Sequence, residues 1–279
     1  MPELPEMQAL AERLDAALAG ATLAGVEPLG FTALKTVSPA PDELVGTVVV
    51  GVGRRGKYLV LSFDGGRRIL AHLSQAGRLD LEERAKTTRA RGSVVRFRFD
   101  DGSAILVREH GTQRKAAWWV LGAGDDGPLA VLGPEPDDPA FAQLLRNGDS
   151  ARRIHTVLRD QRNVAGLGRG YTDDVLNRVG ISPFAPLRTL TPGQRDALVD
   201  AVRQVIDDAL SQERTRTGGL SDPKLGLRFA VHNRVGRPCP RCGTPLLRVS
   251  YESHEIVYCA PCQTKGRVLA DRRLSRLLR

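Results

Sequence analysis

The sequence predicts an α+β protein, in which an N-terminal helix and a β-sandwich are followed by a helical domain and a C-terminal zinc ribbon. Three observations support this prediction. β-like runs and turn residues dominate the first third of the chain, helical patterns follow them, and two C-x2-C pairs stand near the end. We expect four segments with the bounds 1–133, 140–233, 234–263 and 264–279.

The first domain is predicted to open with a helix over residues 5–19, where apolar residues recur at three- and four-residue steps. β-like runs follow it at 47–52, 57–63, 68–73, 93–99 and 103–107. Asp64-Gly65-Gly66 and Asp100-Asp101-Gly102 supply turn residues between these runs. One helix followed by many short strands is typical of a β-sandwich with a covering helix.

The second domain is predicted to be helical. The Gly- and Pro-rich stretch 133–139 indicates a linker, and helices are expected at 154–160, 171–179 and 192–210. Thr191 and Gln194 have the spacing of a capping box, and Pro192 suits the first position of a helix.

Composition points to a polyanionic partner. The formal net charge is +9 and the pI is about 9.9. No run approaches the roughly 18 apolar residues of a membrane-spanning helix, and the N-terminus lacks the layout of a signal peptide. We therefore expect a cytoplasmic monomer, associated with the nucleoid if the source is bacterial, without membrane contact.

The four cysteines predict a structural metal site. Cys239 and Cys242 form one C-x2-C pair, Cys259 and Cys262 form another, and 16 residues separate the pairs. This spacing is typical of a tetrathiolate zinc ribbon, with a hairpin between its two knuckles. Four protein ligands leave no open coordination position, so one structural Zn²⁺ per chain is expected rather than a catalytic one.

The N-terminus, Met1-Pro2-Glu3-Leu4-Pro5-Glu6, predicts a nucleophile. A small second residue permits removal of the initiator Met, which would leave Pro2 with a secondary amine. Such an amine can lose its proton near neutral pH and form an iminium ion with an electrophilic carbon. The carboxylates of Glu3 and Glu6 lie within one helical turn. The ordinary alternative is a helix start with Pro5 in its first turn and Glu6 complementing the helix dipole.

Taken together, these motifs resemble the formamidopyrimidine-DNA glycosylase/endonuclease VIII (Fpg/Nei) family. The resemblance rests on the opening PELPE, on Gly56-Lys57-Tyr58, on the Val-Ala-Gly-Leu-Gly segment 164–168, and on the ribbon ending in Cys262-Gln263. It implies a β-sandwich, a helix-two-turn-helix domain and a zinc finger. It also implies base-excision repair of double-stranded DNA that contains a damaged base or an abasic site.

The resemblance assigns roles to particular residues. Pro2 would attack C1′ of a flipped nucleotide, Glu3 would protonate the sugar ring oxygen, and Glu6 would set the local water and charge. Lys57 and His72 match family residues that contact phosphates near the lesion. For Lys57 the alternative is a solvated lysine at the end of a strand.

Several family positions are altered in the helical domain and the ribbon. Arg169 stands where the family has a phosphate-binding asparagine, and Asp174 shortens a family glutamate. His254 stands where the family has a phosphate-gripping arginine, and the alternative is an exposed hairpin histidine without a role. The stretch 217–228 is short for a lesion-capping loop.

Residues that fill the space of the flipped base are also altered. Gln75 replaces a methionine, and Arg114 lies in Gln113-Arg114-Lys115-Ala116, where the family has an Arg-Arg-Phe-Gly segment. The sequence therefore does not identify which damaged base is excised. The alternative function is a damaged-DNA-binding protein of the same fold with weak or lost base excision. A zinc-ribbon transcription or translation factor would not explain PELPE.

The basic extension 264–279 contains apolar residues at helical spacing. It is either a helix packed on the body or a tail that binds DNA or a partner.

Overall fold

The computed structural model describes residues 2–110, 114–216, 228–251 and 254–270. They fall into two compact units. The first comprises Met1–Val131 and Leu210–Leu225, and the second comprises Leu132–Ala209 and Gly226–Arg279. Among the described residues there is no helix with the length and apolar character needed to cross a membrane.

The first unit is an antiparallel β-sandwich covered by a helix. Helix α1 (Leu4–Leu18) precedes eight strands: β1 (Leu23–Pro28), β2 (Val49–Arg55), β3 (Tyr58–Phe63), β4 (Arg68–His72), β5 (Gly77–Glu82), β6 (Ser93–Phe99), β7 (Ala104–Glu109) and β8 (Ala117–Leu121). They form two four-stranded sheets, with the orders β1-β6-β7-β5 and β2-β3-β4-β8. The predicted sandwich with one helix before it is confirmed.

A single apolar core joins α1 to both sheets. Met7, Leu14 and Leu18 of the helix are at most 1% exposed, and they pack in one cluster with Phe97 and Trp118. These helix residues follow the spacing that predicted the helix, because three- and four-residue steps place side chains on one face.

Three strands were missing from the prediction. β1 contains Gly, Glu and Pro and lacks clear alternation, and β5 begins with a glycine. β8 is a five-residue apolar run, which periodicity alone does not distinguish from a buried helix segment.

The second unit combines helices with a β-hairpin. Its elements are α2 (Pro139–Asn147), α3 (Ile154–Arg159), α4 (Arg169–Val179), β9 (Leu247–Tyr251), β10 (His254–Tyr258) and α6 (Ala260–Thr264), and α5 (Pro192–Thr215) begins in it. The predicted capping box is confirmed: Thr191 N–H donates to Gln194 Oε1 over 3.0 Å, and Gln194 N–H donates to Thr191 Oγ1 over 3.3 Å. The predicted hairpin between the two cysteine pairs is also present.

Helix α2 was not predicted, because Pro139 was assigned to the linker. In the structure Pro139 is the first residue of the helix, where its fixed φ and missing N–H are tolerated. Asp138 caps this helix by accepting the Ala140 N–H over 2.8 Å.

Candidate functional site

The N-terminal residues are buried at the start of α1. Pro2 is buried, and Glu3 and Glu6 are 4% and 9% exposed. Glu3 N–H donates to Glu6 Oε2 over 2.7 Å, and Met7 N–H donates to the Glu3 carbonyl over 3.0 Å. Glu6 therefore caps the helix, in line with the ordinary alternative for this residue. The helix start also places Glu3 at the N-cap of α1, directly after Pro2.

Helix α1 points its N-terminus toward the hairpin turn that carries Lys57. Two side-chain contacts fix this direction, Val52 N–H to Asp15 Oδ1 at 2.7 Å and Arg54 Nε to Gln8 Oε1 at 2.9 Å. The contacts move toward the helix start as β2 approaches its turn, so the helix runs antiparallel to the strand. Pro2 and Lys57 consequently lie toward the same end of the first unit.

Lys57 lies in the two-residue turn between β2 and β3, not in the strand where the sequence placed it. The preceding Gly56 has a φ of 57°, which suits the first position of a tight hairpin turn. The Lys57 side chain is only 5% exposed, so its interpretation as a solvated surface lysine is wrong.

His72 ends β4 beside that turn. It pairs with Tyr58 across the sheet, and the two ring centroids are 4.9 Å apart. Burial lowers the pKa of His72 to about 4, and the positive charge of Lys57 acts in the same direction. His72 is therefore neutral at physiological pH and can offer an anion one N–H donor without charge.

Gln75 is exposed in the turn that follows β4. Gly77 N–H closes this turn by donating to the Leu73 carbonyl over 2.8 Å. A Cβ on Gly77 would lie 2.1 Å from that carbonyl oxygen, so only glycine fits here. The turn places Gln75 three residues after His72, at the same end of the first unit.

Arg114 is exposed in the connection between β7 and β8. The buried carboxylate of Glu109 anchors this connection by accepting the N–H groups of Lys115 and Ala116 over 2.7 and 2.8 Å. His110 N–H donates to the Ala76 carbonyl over 3.0 Å, which brings the connection beside the Gln75 turn. Gln113 lies outside the described residues.

In the second unit, Arg169 is the first residue of α4 and is partly exposed. The N-terminus of a helix carries unpaired N–H groups and the positive end of the helix dipole. Gly170 beside it has a packing role, because a Cβ there would lie 2.3 Å from the ring of Phe229. Arg169 thus adds a formal positive charge where the backbone already favours anions.

Sequence reasoning missed a buried network around Asp173, which is 1% exposed. His155 Nε2 lies 3.1 Å from one oxygen of Asp173, and His232 Nδ1 lies 2.6 Å from the other. The second oxygen also accepts the Val257 N–H from β10 over 3.2 Å. Asp173 therefore ties α3, α4 and the ribbon hairpin together. The available signal was a pair of acidic residues within a helix segment that is otherwise buried.

Asp174 organises the segment that leads into the ribbon. Its carboxylate accepts the backbone N–H groups of Ala230, Val231 and His232 over 2.8, 2.8 and 3.2 Å. Burial nevertheless raises the pKa of Asp174 to about 6, and the charge of Asp173 adds to the increase. Asp174, although shorter than the family's glutamate, therefore holds the backbone of residues 230–232, a role that the sequence did not indicate.

The four cysteines converge in the second unit. Their sulfur atoms all lie within 4.8 Å of one another, and Cys242 Sγ and Cys259 Sγ are 3.5 Å apart. Four thiolates at such distances could hold one metal ion. The two C-x2-C pairs come together, as their spacing predicted.

Gln263 and Asn177 support this cluster from α6 and α4. Gln263 Oε1 accepts the Cys259 N–H over 2.8 Å and the Asn177 Nδ2 over 3.2 Å, while its Nε2 donates to the Ile181 carbonyl over 2.9 Å. Asn177 Nδ2 also lies 3.6 Å from Cys239 Sγ. The glutamine after the last cysteine therefore fastens the ribbon to the end of α4. Such outer contacts orient metal ligands.

His254 begins β10, opposite Tyr251, and is partly exposed. Nothing in the structure tests its interaction with DNA, so its role stays a prediction. The predicted capping-loop region lies outside the described residues except for Arg228. Of the C-terminal extension, residues 265–270 are not helical, and Leu269 N–H donates to Tyr258 Oη over 2.8 Å. The remaining nine residues of the extension are outside the described part.

Two family models match the chain in the order of its units. The formamidopyrimidine-DNA glycosylase N-terminal domain matches residues 1–116, and the formamidopyrimidine-DNA glycosylase H2TH domain matches residues 132–219.

Individual proteins match over nearly the whole chain. The formamidopyrimidine-DNA glycosylase of Roseiflexus sp. (strain RS-1) is 33% identical, with 94% of this chain and 100% of that protein covered. The protein of that name from Thermus thermophilus is also 33% identical, with 95% and 100% covered. The crystal structure of the Thermus thermophilus MutM (Fpg) protein has a TM-score of 0.80 at 29% identity, covering 95% and 100%. A Lactococcus lactis Fpg mutant in complex with Fapy-dG-containing DNA has a TM-score of 0.82 at 25% identity, covering 94% and 100%.

Proposed function

The chain belongs to the formamidopyrimidine-DNA glycosylase (Fpg/Nei) family, and we propose that it is a base-excision repair DNA glycosylase with AP-lyase activity. The observation that carries this proposal is the buried N-terminus, where Pro2 and Glu3 lie at the start of a helix that points toward the Lys57 turn. Its substrate would be double-stranded DNA with a damaged or abasic nucleotide, in line with the damaged DNA bound to the Lactococcus lactis relative.

The chemistry begins with removal of Met1, which converts the Pro2 nitrogen from an amide into a secondary amine. Its lone pair attacks C1′ of the flipped nucleotide, and the glycosidic bond breaks as the base leaves with the bonding electrons. The base takes up the proton that the Pro2 nitrogen loses. Glu3 protonates the ring oxygen as the C1′–O4′ bond breaks, which leaves an iminium between Pro2 and C1′. Loss of a C2′ proton then expels the 3′ phosphate, and a second elimination can expel the 5′ phosphate.

The role of Lys57 and His72 is to hold the phosphates beside the reacting sugar. Lys57 supplies charge from a buried position in a tight turn, where few rotamers are open to it. His72 supplies a neutral N–H, since its pKa of about 4 keeps it unprotonated. Gln75 and Arg114, exposed at the same end of the first unit, would occupy the space that the flipped nucleotide leaves.

In the second unit, Arg169 and His254 would bind further phosphates. Arg169 stands at a helix N-terminus, which favours anions, and a long guanidinium there can replace the family's amide. The four cysteines would hold one structural Zn²⁺, whose contribution is to fold the ribbon rather than to take part in the reaction. Metal analysis that finds no zinc in carefully purified protein would contradict this part of the proposal.

The alternative of a damaged-DNA-binding protein of the same fold, with weak or lost base excision, receives no support from the structure. The residues that it would not need, Pro2, Glu3 and Lys57, are all retained and buried.

The decisive experiment is borohydride trapping on duplex DNA that contains an abasic site. Wild type should form a covalent complex, and Pro2→Gly should reduce its yield strongly because the secondary amine is lost. A chain that keeps one extra residue before Pro2 is the matched control, since it has every side chain but no Pro2 amine. If that extended chain is trapped as efficiently as wild type, Pro2 is not the nucleophile.

Glu3→Gln separates the two stages of the reaction. It should slow removal of a damaged base more than cleavage at a preformed abasic site, because the second substrate needs less acid assistance. Equal losses on both substrates would argue against a role for Glu3 as the acid.

A further inference from the structure

Phe31 is the most exposed large hydrophobic side chain in the described part of the chain. Its relative exposure is 104%, and Val37 in the same segment reaches 97%. Because the fold does not bury this ring, its face is open to stacking on a ligand.

The segment that carries Phe31 is firmly held despite this exposure. The N–H groups of Leu29 and Gly30 both donate to the Val94 carbonyl, over 2.9 and 2.7 Å. Further along, Lys35 N–H donates to the Trp118 carbonyl over 2.9 Å, and Ala33 is buried in the core. The backbone on both sides of Phe31 is thus anchored to the sandwich.

A basic loop is fastened to the same place. Residues 83–92 connect β5 to β6 and contain Arg84, Lys86, Arg89 and Arg91, all exposed, against a single exposed acid, Glu83. Arg89 Nη2 donates to the Leu29 carbonyl over 2.5 Å. With Lys35, five exposed cations therefore accompany the Phe31 segment, and the excess charge there is +4.

This surface lies toward the end of the first unit where Gln75 and Arg114 are found. The carbonyl of Gly92, at the end of the basic loop, accepts the Glu109 N–H over 2.9 Å, and Glu109 anchors the connection that carries Arg114. The proposed excision chemistry uses neither Phe31 nor the basic loop.

We propose that the segment 29–37 and the loop 83–92 form a surface that binds single-stranded DNA, with Phe31 stacked on an unpaired base and the surrounding cations neutralising phosphates. An exposed aromatic ring among flexible cations is the combination that such binding uses, because every base has a face for stacking and every linkage carries charge. A duplex keeps its bases stacked on one another and offers the ring no face. This inference goes beyond the proposed excision of damaged nucleotides from duplex DNA.

The test measures the affinity of the full chain for a fluorescein-labelled oligothymidylate of about ten nucleotides, by fluorescence anisotropy over a range of salt concentrations. Phe31→Ala and Phe31→Leu should both weaken binding about fivefold or more, because stacking is lost. Phe31→Trp should keep or tighten it. If Phe31→Leu binds as wild type does, the surface is an apolar docking patch and the inference fails.

Charge substitutions test the loop. Lys86→Gln and Arg91→Gln should each reduce the slope of log affinity against log salt by about 0.7. The matched control is Arg188→Gln, which removes an exposed cation from the second unit and should leave the slope unchanged. An equal reduction in that control would mean that binding follows net charge alone, which would overturn the inference.

Borohydride trapping on a saturating amount of abasic duplex keeps this inference separate from the proposed enzyme function. Phe31→Ala should retain the wild-type trapping yield there while it loses affinity for the single strand. Loss of trapping together with unchanged single-strand affinity would place Phe31 in the excision site and overturn the inference.

Discussion

Replacing Gly180 by alanine should weaken the attachment of the cysteine ribbon to α4. Gly180 ends this helix with a φ of 69°, and its N–H donates to the Asn177 carbonyl over 3.1 Å. The left-handed conformation costs an L-residue about 1–2 kcal/mol. Against this, alanine reduces the conformational entropy of the unfolded chain, which stabilises the protein by about 0.4–1 kcal/mol. The backbone effect alone therefore costs about 1 kcal/mol of stability.

Contacts of the new methyl group add to that cost. A Cβ at Gly180 would lie 2.5 Å from Arg241 Nη1 and 3.1 Å from the Cys262 carbonyl oxygen. Arg241 would have to leave its 3.2 Å hydrogen bond to the Asn177 carbonyl, which removes about 1 kcal/mol or more. The total cost in stability is therefore about 2–3 kcal/mol. The part that comes from the displaced Arg241 side chain falls on the contact between the ribbon and α4.

Gly20→Ala is the matched control. Gly20 has a φ of 86°, and a Cβ there would meet nothing within 4 Å, so this variant carries the backbone cost without the contacts. Because metal binding and ribbon folding are coupled, Gly180→Ala should lose the proposed Zn²⁺ to a chelator about tenfold more readily than Gly20→Ala near neutral pH. Equal zinc retention in both variants would refute the reasoning. Combining Gly180→Ala with Arg241→Ala should cost less than the sum of the two, since both remove the same hydrogen bond.

Three further predictions concern titratable groups. Lys57→Met should raise the pKa of His72 above about 4 but leave it below its ordinary value, because the imidazole remains buried. An NMR titration of the imidazole measures this pKa, and an unchanged midpoint would contradict the prediction. Asp174 should titrate near pH 6 in a carboxyl-carbon NMR experiment, in a signal that Asp174→Asn removes. Because the folded pKa of Asp174 is raised, its contribution to stability is complete below its unfolded pKa of about 3.9 and is lost as pH rises through about 6. If His254 binds a phosphate, affinity for an abasic-analogue duplex should fall as the pH rises and the imidazole loses its charge. His254→Ala should abolish this pH dependence. Superimposable affinity-against-pH curves for wild type and His254→Ala would show that His254 does not contribute to binding.

The structure also clarifies two positions that the sequence left ambiguous. Glu6 was a candidate for chemistry or for an ordinary place in the first turn of the helix. Its bond to the Glu3 N–H gives it a capping role, and its part in the chemistry stays a prediction. Lys57 was a candidate for function or for a solvated surface, and its burial excludes the solvated surface. Burial and hydrogen-bond partners depend on neighbours distant in sequence, so a local motif could not decide either case.

The sequence by itself determined the order of the parts and predicted which groups react. The apolar spacing of α1, the capping box of α5, the C-x2-C pairs and PELPE are all local patterns, and each depends on residues only a few positions apart. Only the tertiary structure decided that Lys57, His72, Gln75 and Arg114 share one end of the sandwich, because strand order and turn geometry place them there. It alone decided that Asp173 and Asp174 join the helices to the ribbon, since a buried carboxylate obtains its partners from whichever segments fold around it.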